Sequence, residues 1–91
     1  MLETPKLIHV GNNNWVAANL IVAVSTLKSI TVRRSFEEAK AAGLLLDFTG
    51  QQKTRSILLM QNGIVIRTML RPGDVARLVA SLDLDAENQV G

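Results

Sequence analysis

Residues 43–60 read GLLLDFTGQQKTRSILLM and decide the fold class of the chain. Two apolar runs, Leu44–Phe48 and Ile57–Met60, flank a polar segment that carries Lys53 and Arg55. Short apolar runs bounded by turn residues are typical of buried β-strands. The stretch therefore predicts two strands paired as a hairpin, with two cations projecting from the polar segment between them.

Two further strands are predicted upstream. The β-prone run 6–10 ends at Gly11–Asn14, where glycine and asparagine tolerate the positive φ of a turn. An extended segment follows over residues 15–24. We expect Asn19 to bend this segment, because its side-chain amide can bond to nearby backbone.

Two helices complete the pattern, at about residues 30–42 and 72–82. The first can be capped by Ser29 or Thr31. Between the helices, the Asn62-Gly63 pair predicts a tight turn after the central stretch. A third strand over residues 64–70 then extends the predicted hairpin into a meander.

The length of 91 residues predicts one small domain, residues 1–91, with a core over about 6–82 and a flexible acidic tail over 83–91. We expect an α+β fold of mainly antiparallel strands with two helices. The hydrophobic content is 47% but the aromatic content is 3%, so the core must be aliphatic. No apolar run reaches the roughly 18 residues of a membrane span, and no signal peptide is recognisable. The predicted location is therefore the cytoplasm.

Charge is distributed unevenly along the chain. Ten basic and four acidic residues lie between Thr4 and Leu82, although the formal net charge of the whole chain is +2. A positive folded body fits a surface that binds a polyanion. Scattered cations that only keep the protein soluble are the alternative interpretation.

Catalytic chemistry has little support in the sequence. The chain has no cysteine, which excludes disulfides and thiolate sites. His9 is the single histidine and lies in an apolar run, so it has no second ligand for a metal. Asp47 ends a predicted strand and is expected to cap the following turn or to pair with Lys53 or Arg55. We therefore predict no enzyme, no catalytic residue, no metal, no cofactor and no small-molecule substrate.

Adjacent arginines open the first predicted helix. Arg33 and Arg34 lie where cations oppose the helix dipole, so an external anion would stabilise them. Pairing with Glu37 and Glu38, four residues further on, is the alternative.

Lys53 and Arg55 alternate in the second predicted strand and would share one face. Two like charges on one face favour a negative partner, for which phosphate and Asp47 are both candidates. Few aromatic side chains are free to stack on bases. Contact with a nucleic-acid backbone is thus favoured over recognition of bases.

The order of these features resembles the RemA family, small bacterial proteins also called extracellular matrix regulatory proteins. The resemblance spans about residues 6–82. It rests on the following matches in order: Gly11, Asn14, Val16, Asn19, Val24-Ser25, Arg33-Arg34, Ala39 to Gly43, Gly43-Leu-Leu-Leu-Asp47 with Thr49, Lys53-Thr54-Arg55, Met60, Pro72 and Val75-Ala76.

The resemblance implies a DNA-binding transcriptional regulator of the biofilm matrix, assembled into closed rings and associated with the nucleoid. The family has two adjacent arginines where this chain has Gln52 and Lys53, and another DNA-contacting arginine where it has Leu20. The turn glycine has also moved one place, to Gly50.

Two functions follow from these observations. The first is a homo-oligomeric ring that binds double-stranded DNA through its phosphates, with contacts from Lys53, Arg55, Arg33, Arg34 and Gln52. The alternative is a ring-forming structural or interaction module that has lost DNA binding. Loss of cations at Leu20 and Gln52 motivates the alternative.

Overall fold

A computed structural model describes the backbone of residues 6–90 and the side chains of residues 6–82. Residues 1–5 and 91 of the predicted domain, and the side chains of the predicted acidic tail, lie outside the described parts. The elements in chain order are β1 (Leu7–His9), β2 (Trp15–Ala17), β3 (Ile21–Ser25), α1 (Ile30–Ala42), β4 (Leu45–Asp47), β5 (Ser56–Met60), β6 (Val65–Thr68) and α2 (Pro72–Val90).

The strands form two sheets. β1 and β2 make an antiparallel hairpin, and the other four strands form a sheet in the order β3-β5-β6-β4. β5 is antiparallel to both β3 and β6, whereas β4 is parallel to β6. A short 3-10 turn around Asn19 separates β2 from β3, which confirms the bend predicted there. The predicted α+β class with two helices is confirmed.

The hairpin predicted within residues 43–60 is wrong. β4 does not pair with β5, because both edges of β5 are already occupied. The tight turn at Asn62-Gly63, where Gly63 has a φ of 85°, folds β6 onto one edge, and β3 takes the other. β4 pairs instead with the other edge of β6. The predicted strand from Lys53 is also too long, since β5 begins at Ser56.

Alternate side chains of the central strands enter two aliphatic cores. Ile57 and Val65 pack with Val32 and Ala39 of α1 on one face of the sheet. On the other face, the sheet packs against side chains of the β1–β2 hairpin and of α2. The buried residues of this second core are Ile8, Val10, Val16, Leu58, Ile66 and Val75. The sheet thus lies between α1 and a layer of hairpin and helix. This arrangement confirms the prediction that aliphatic side chains form the core.

Helix ends follow local chemistry. Ser29 caps α1, because its Oγ accepts a hydrogen bond from the Val32 N–H at 3.3 Å. Gly43 ends α1 with a φ of 75°. α2 continues past the predicted end at Leu82 to Val90, since residues 83–90 contain no glycine or proline to stop it. Within the described residues, neither helix is both long enough and apolar enough to cross a membrane.

Buried hydroxyl groups tie the chain together at one end of the sheet. Thr68 ends β6, and its Oγ1 donates to the Val10 carbonyl at 2.7 Å. Ser56 begins β5, and its Oγ donates to the Leu70 carbonyl. Both side chains are fully buried. These bonds fix the end of the sheet from which three loops emerge.

Candidate nucleic-acid interface

Three segments meet at this end of the sheet and form a cleft of about 390 Å³. They lie together because β3 ends, β5 begins and β6 ends at the same level, with Ser25 opposite Ile57 and Ser56 opposite Thr68. We call this feature the basic cleft. The residues that line it are Thr26, Leu27, Lys28, Lys53, Thr54, Arg55, Arg71 and Pro72. Four of these eight residues are cationic and none is acidic.

Hydrogen bonds hold the loop that carries Lys53 and Arg55. The Phe48 N–H donates to the Arg67 carbonyl and the Arg55 N–H to the Thr68 carbonyl, each at 2.9 Å. The loop therefore crosses the end of β6 with both of its ends bonded to that strand. Its cations are presented from a fixed backbone.

A tight turn shapes the tip of the same loop. The Gln52 N–H donates to the Thr49 carbonyl at 3.0 Å, and both residues between them have positive φ, 59° at Gly50 and 73° at Gln51. A Cβ at Gly50 would lie 2.5 Å from the Asn12 side-chain nitrogen. Glycine at the tip therefore avoids backbone strain, and any other residue there would displace the Asn12 side chain.

The other two cations of the cleft each precede a helix. Lys28 lies just before the cap of α1, and its N–H donates to Thr26 Oγ1 at 3.3 Å. Arg71 lies just before α2, and its carbonyl accepts from the Val75 N–H at 3.1 Å. Both residues are exposed. Among the described side chains, neither forms an ion pair within 4.0 Å.

The structure brings together only part of the predicted set. Lys53 and Arg55 line the basic cleft, and Gln52 is exposed in the turn beside them. Arg33 and Arg34 are exposed on α1 and do not line it. Their alternative role is not seen either, since no ion pair with Glu37 or Glu38 forms among the described side chains.

Lys28 and Arg71 were missed by the sequence reasoning. Each is a cation directly before a predicted helix start, a signal that was present in the chain. Using it would have required the strand order, because residues so far apart in sequence become neighbours only through β5.

Asp47 takes the structural role predicted for it. Its Oδ1 accepts hydrogen bonds from the Thr49 N–H at 2.9 Å and the Thr49 hydroxyl at 2.6 Å. Its ionic neighbour is Arg67, with Nε 3.9 Å away, rather than Lys53 or Arg55. The two cations of the loop are therefore left to face the cleft.

These contacts lower the pKa of the Asp47 carboxyl. The Thr49 hydroxyl and N–H bonds are the main cause, and the charge of Arg67 adds to them, against a small opposing effect of desolvation. A depressed pKa contributes stability that is present above the ordinary value of 3.8 and is lost as the pH falls through the lower folded value.

We predict that Asp47→Asn lowers the melting temperature at neutral pH and that this deficit shrinks below about pH 4. Asparagine keeps an acceptor for Thr49 but lacks the charge, so the pH dependence isolates the carboxylate. Thermal unfolding of both proteins between pH 7 and pH 3 measures it. A deficit that stays constant across this range would show that the charge of Asp47 does not matter.

His9 lies apart from the basic cleft. On the β1–β2 hairpin its ring contacts Trp15, with ring centroids 5.0 Å apart. Within residues 6–82, no group of three His, Asp or Glu side chains is placed to hold a metal ion.

An apolar groove occupies another part of the surface, with a volume of about 180 Å³. It reaches Met60 and Asn62, at the opposite end of β5 from the basic cleft. Leu20 lines this groove and is 38% exposed. Trp15 also lines it and is 59% exposed. The surface near Leu20 is therefore apolar, and separate from the cations.

Comparison with known proteins places the fold in a family. The model of the RemA-like family, described as extracellular matrix regulatory protein A-like, matches residues 7–78. A protein of Clostridium novyi (strain NT) is 35% identical over 78 residues, covering 86% of this chain and 87% of its own. One from Clostridium acetobutylicum (strain ATCC 824) is 34% identical over 85 residues, 93% of this chain and 91% of its own.

A third relative, from Clostridium botulinum (strain Hall), is 36% identical over 76 residues, 84% of each chain. All three carry the words "Putative regulatory protein" in their names. The names suggest a regulatory role. Because the family model and these relatives cover most of its length, the chain belongs to the RemA-like family.

Proposed function

We propose that this protein is a homo-oligomeric DNA-binding regulator that contacts the phosphate backbone through its basic cleft. The observation that carries the proposal is the convergence of four cations from three chain segments with no acidic residue among them. The regulatory names of its relatives agree with such a role. The proposed site of action is the bacterial cytoplasm, and no catalytic step is part of the proposal.

The chemistry of the cleft favours phosphate over bases. Lysine and arginine ends and threonine hydroxyls are donors for phosphate oxygens, and no aromatic side chain lines the cleft for stacking. Lys53 stands where the family has arginine, and lysine binds phosphate as a point charge without a bidentate fork. Contact of this kind fixes the protein on DNA without reading much sequence.

Assembly would multiply a modest contact. One cleft per protomer, repeated around a ring, gives several weak phosphate contacts to one DNA molecule, and effective concentration compounds them. Apolar side chains that a monomer leaves in water support an assembled state. Among the described residues, the most exposed large apolar side chains are those of Leu7, Trp15, Val22 and Ile30, each more than half exposed.

The test is a fluorescence anisotropy titration of duplex DNA at several salt concentrations. Binding through phosphates should weaken steeply as salt rises, because each contact releases counterions. We predict that Lys53→Ala reduces the slope of log affinity against log salt by about one unit for each contact it removes from the bound oligomer.

Lys40→Ala is the matched control. Lys40 is an exposed cation in the last turn of α1, at the other end of that helix from Lys28. Its removal changes net charge equally, so it should leave the slope nearly unchanged. Equal effects of the two variants would attribute binding to overall charge, and no binding at low salt would exclude DNA as the ligand.

A ring-forming interaction module without DNA binding is the second candidate. It is favoured by Leu20, which lies in an apolar groove and stands where the resemblance to the family implies a DNA-contacting arginine. Light scattering combined with the anisotropy titration separates the two functions. Oligomeric mass without any DNA affinity would support the module, and a monomer at micromolar concentration would argue against both.

A further inference from the structure

The basic cleft holds more positive charge than one DNA phosphate can neutralise. Its four cations are Lys28, Lys53, Arg55 and Arg71. A backbone phosphate in DNA carries about one negative charge, whereas a terminal phosphate group carries about −1.5 to −2. Linked phosphates ending in such a group therefore match the charge of the cleft better than one backbone phosphate does.

The size of the cleft also favours a compact ligand of several linked phosphates. Its volume of about 390 Å³ falls within the roughly 300–1,000 Å³ of small-molecule sites. The walls come from three separate segments, Thr26–Lys28, Lys53–Arg55 and Arg71–Pro72. A compact anion bound in this volume would contact all three walls at once.

Two threonine hydroxyls are set to donate to such an anion. Thr26 Oγ1 already accepts from the Lys28 N–H, and Thr54 Oγ1 accepts from Arg67 Nε at 2.8 Å. With an acceptor position of each oxygen used within the protein, the hydroxyl protons are available to phosphate oxygens. Pro72, the first residue of α2, adds the positive end of the helix dipole to the same wall.

The nearest acidic group on these elements does not compete for the cleft. Asp74 does not line it; its carboxylate accepts from the Arg71 N–H and pairs with Arg77. Of the cleft's lining, only Leu27 and Pro72 are apolar, and neither offers an aromatic face for a base. Recognition would therefore be of the phosphate chain itself.

We infer that the basic cleft binds a compact polyphosphate group, either free or as the triphosphate of a nucleotide, and that this ligand competes with DNA. The competition rests on the proposed function. The binding itself does not depend on it.

The experiment is a calorimetric titration of the full chain with tripolyphosphate, ATP and orthophosphate at one fixed ionic strength. Tripolyphosphate should bind, and orthophosphate should bind at least about tenfold more weakly because it reaches fewer donors. If ATP binds as tightly as tripolyphosphate, the cleft accepts both free polyphosphate and the triphosphate of a nucleotide. If tripolyphosphate binds and ATP does not, free polyphosphate is the ligand. Binding of ATP alone would overturn the inference, since the base would then carry recognition.

Variants locate the site. We predict that Arg71→Ala weakens tripolyphosphate binding by about tenfold, and that Lys40→Ala leaves it unchanged. Undiminished binding by the Lys28→Ala and Arg71→Ala double variant, with its fold checked by circular dichroism, would overturn the assignment. Both side chains are exposed, so the fold should tolerate their loss.

Competition is measured by displacement of labelled DNA with tripolyphosphate against potassium chloride of matched ionic strength. Greater displacement by tripolyphosphate supports the inference, and equal displacement overturns the competition. If tripolyphosphate does not bind, the inference is overturned even if DNA binds. Tripolyphosphate binding without any DNA binding overturns the proposed function and the competition, while the cleft stands as a polyphosphate site.

Discussion

The double charge reversal Lys28→Glu with Arg71→Glu is expected to weaken DNA binding by about a hundredfold or more at 0.1 M salt, since counterion release is worth about tenfold per contact there. Both side chains line the basic cleft. Glutamate would replace two attractive contacts with two repulsive ones, in each protomer of an assembly. Anisotropy titrations of the variant and the wild type give the ratio directly.

Arg33→Glu with Arg34→Glu is the matched control for this prediction. It reverses the same number of charges at exposed positions on α1 that do not line the cleft. The general electrostatic attraction of the protein for DNA falls by the same amount in both variants. A loss as large as that of the cleft variant would move the interface onto α1, where the sequence pattern also predicted contacts.

Leu58→Ala is expected to lower the free energy of unfolding by about 3 kcal/mol. Leu58 is fully buried on the central strand β5 and packs in the core shared with Val10 and Val75. Truncation removes apolar contact and leaves a cavity that the strands on both sides hold open. Chemical denaturation at one fixed protomer concentration measures the change, because assembly would otherwise alter the apparent stability.

Leu7→Ala makes the same chemical change at a surface position and serves as the comparison. Leu7 is 52% exposed on β1, so we expect a loss of under about 1 kcal/mol. Similar losses for the two variants would mean that Leu58 is not at the centre of the core.

Local chemistry predicted most elements of the fold, and pairing over distance caused the main error. The Ser29 cap and the Asn62-Gly63 turn depend on groups within a few residues of each other, so their roles could be predicted from residue type. The partner of β4 could not, because it depends on which strand edges remain free after β3, β5 and β6 have paired. The pattern of a polar turn between two apolar runs therefore predicted a hairpin, and that hairpin does not form.

For the candidate site, too, local features could be predicted and long-range neighbours could not. Lys53 and Arg55 were found from their spacing in one segment. Lys28 and Arg71 come to the same cleft only because β3, β5 and β6 align their ends. Of the two roles predicted for Asp47, the turn cap is the one observed, and its partner Thr49 is two residues away.

Hydrogen–deuterium exchange of the protein with and without saturating duplex DNA tests the central claim most directly. Exchange protection reports which backbone segments are covered or stabilised by a ligand. The basic cleft predicts that peptides covering 26–28, 53–55 and 71–73 become protected together, while the apolar groove around Leu20 changes little. Unchanged exchange in those three segments, with protection confined to α1 or to the groove, would contradict the claim that DNA binds at the cleft.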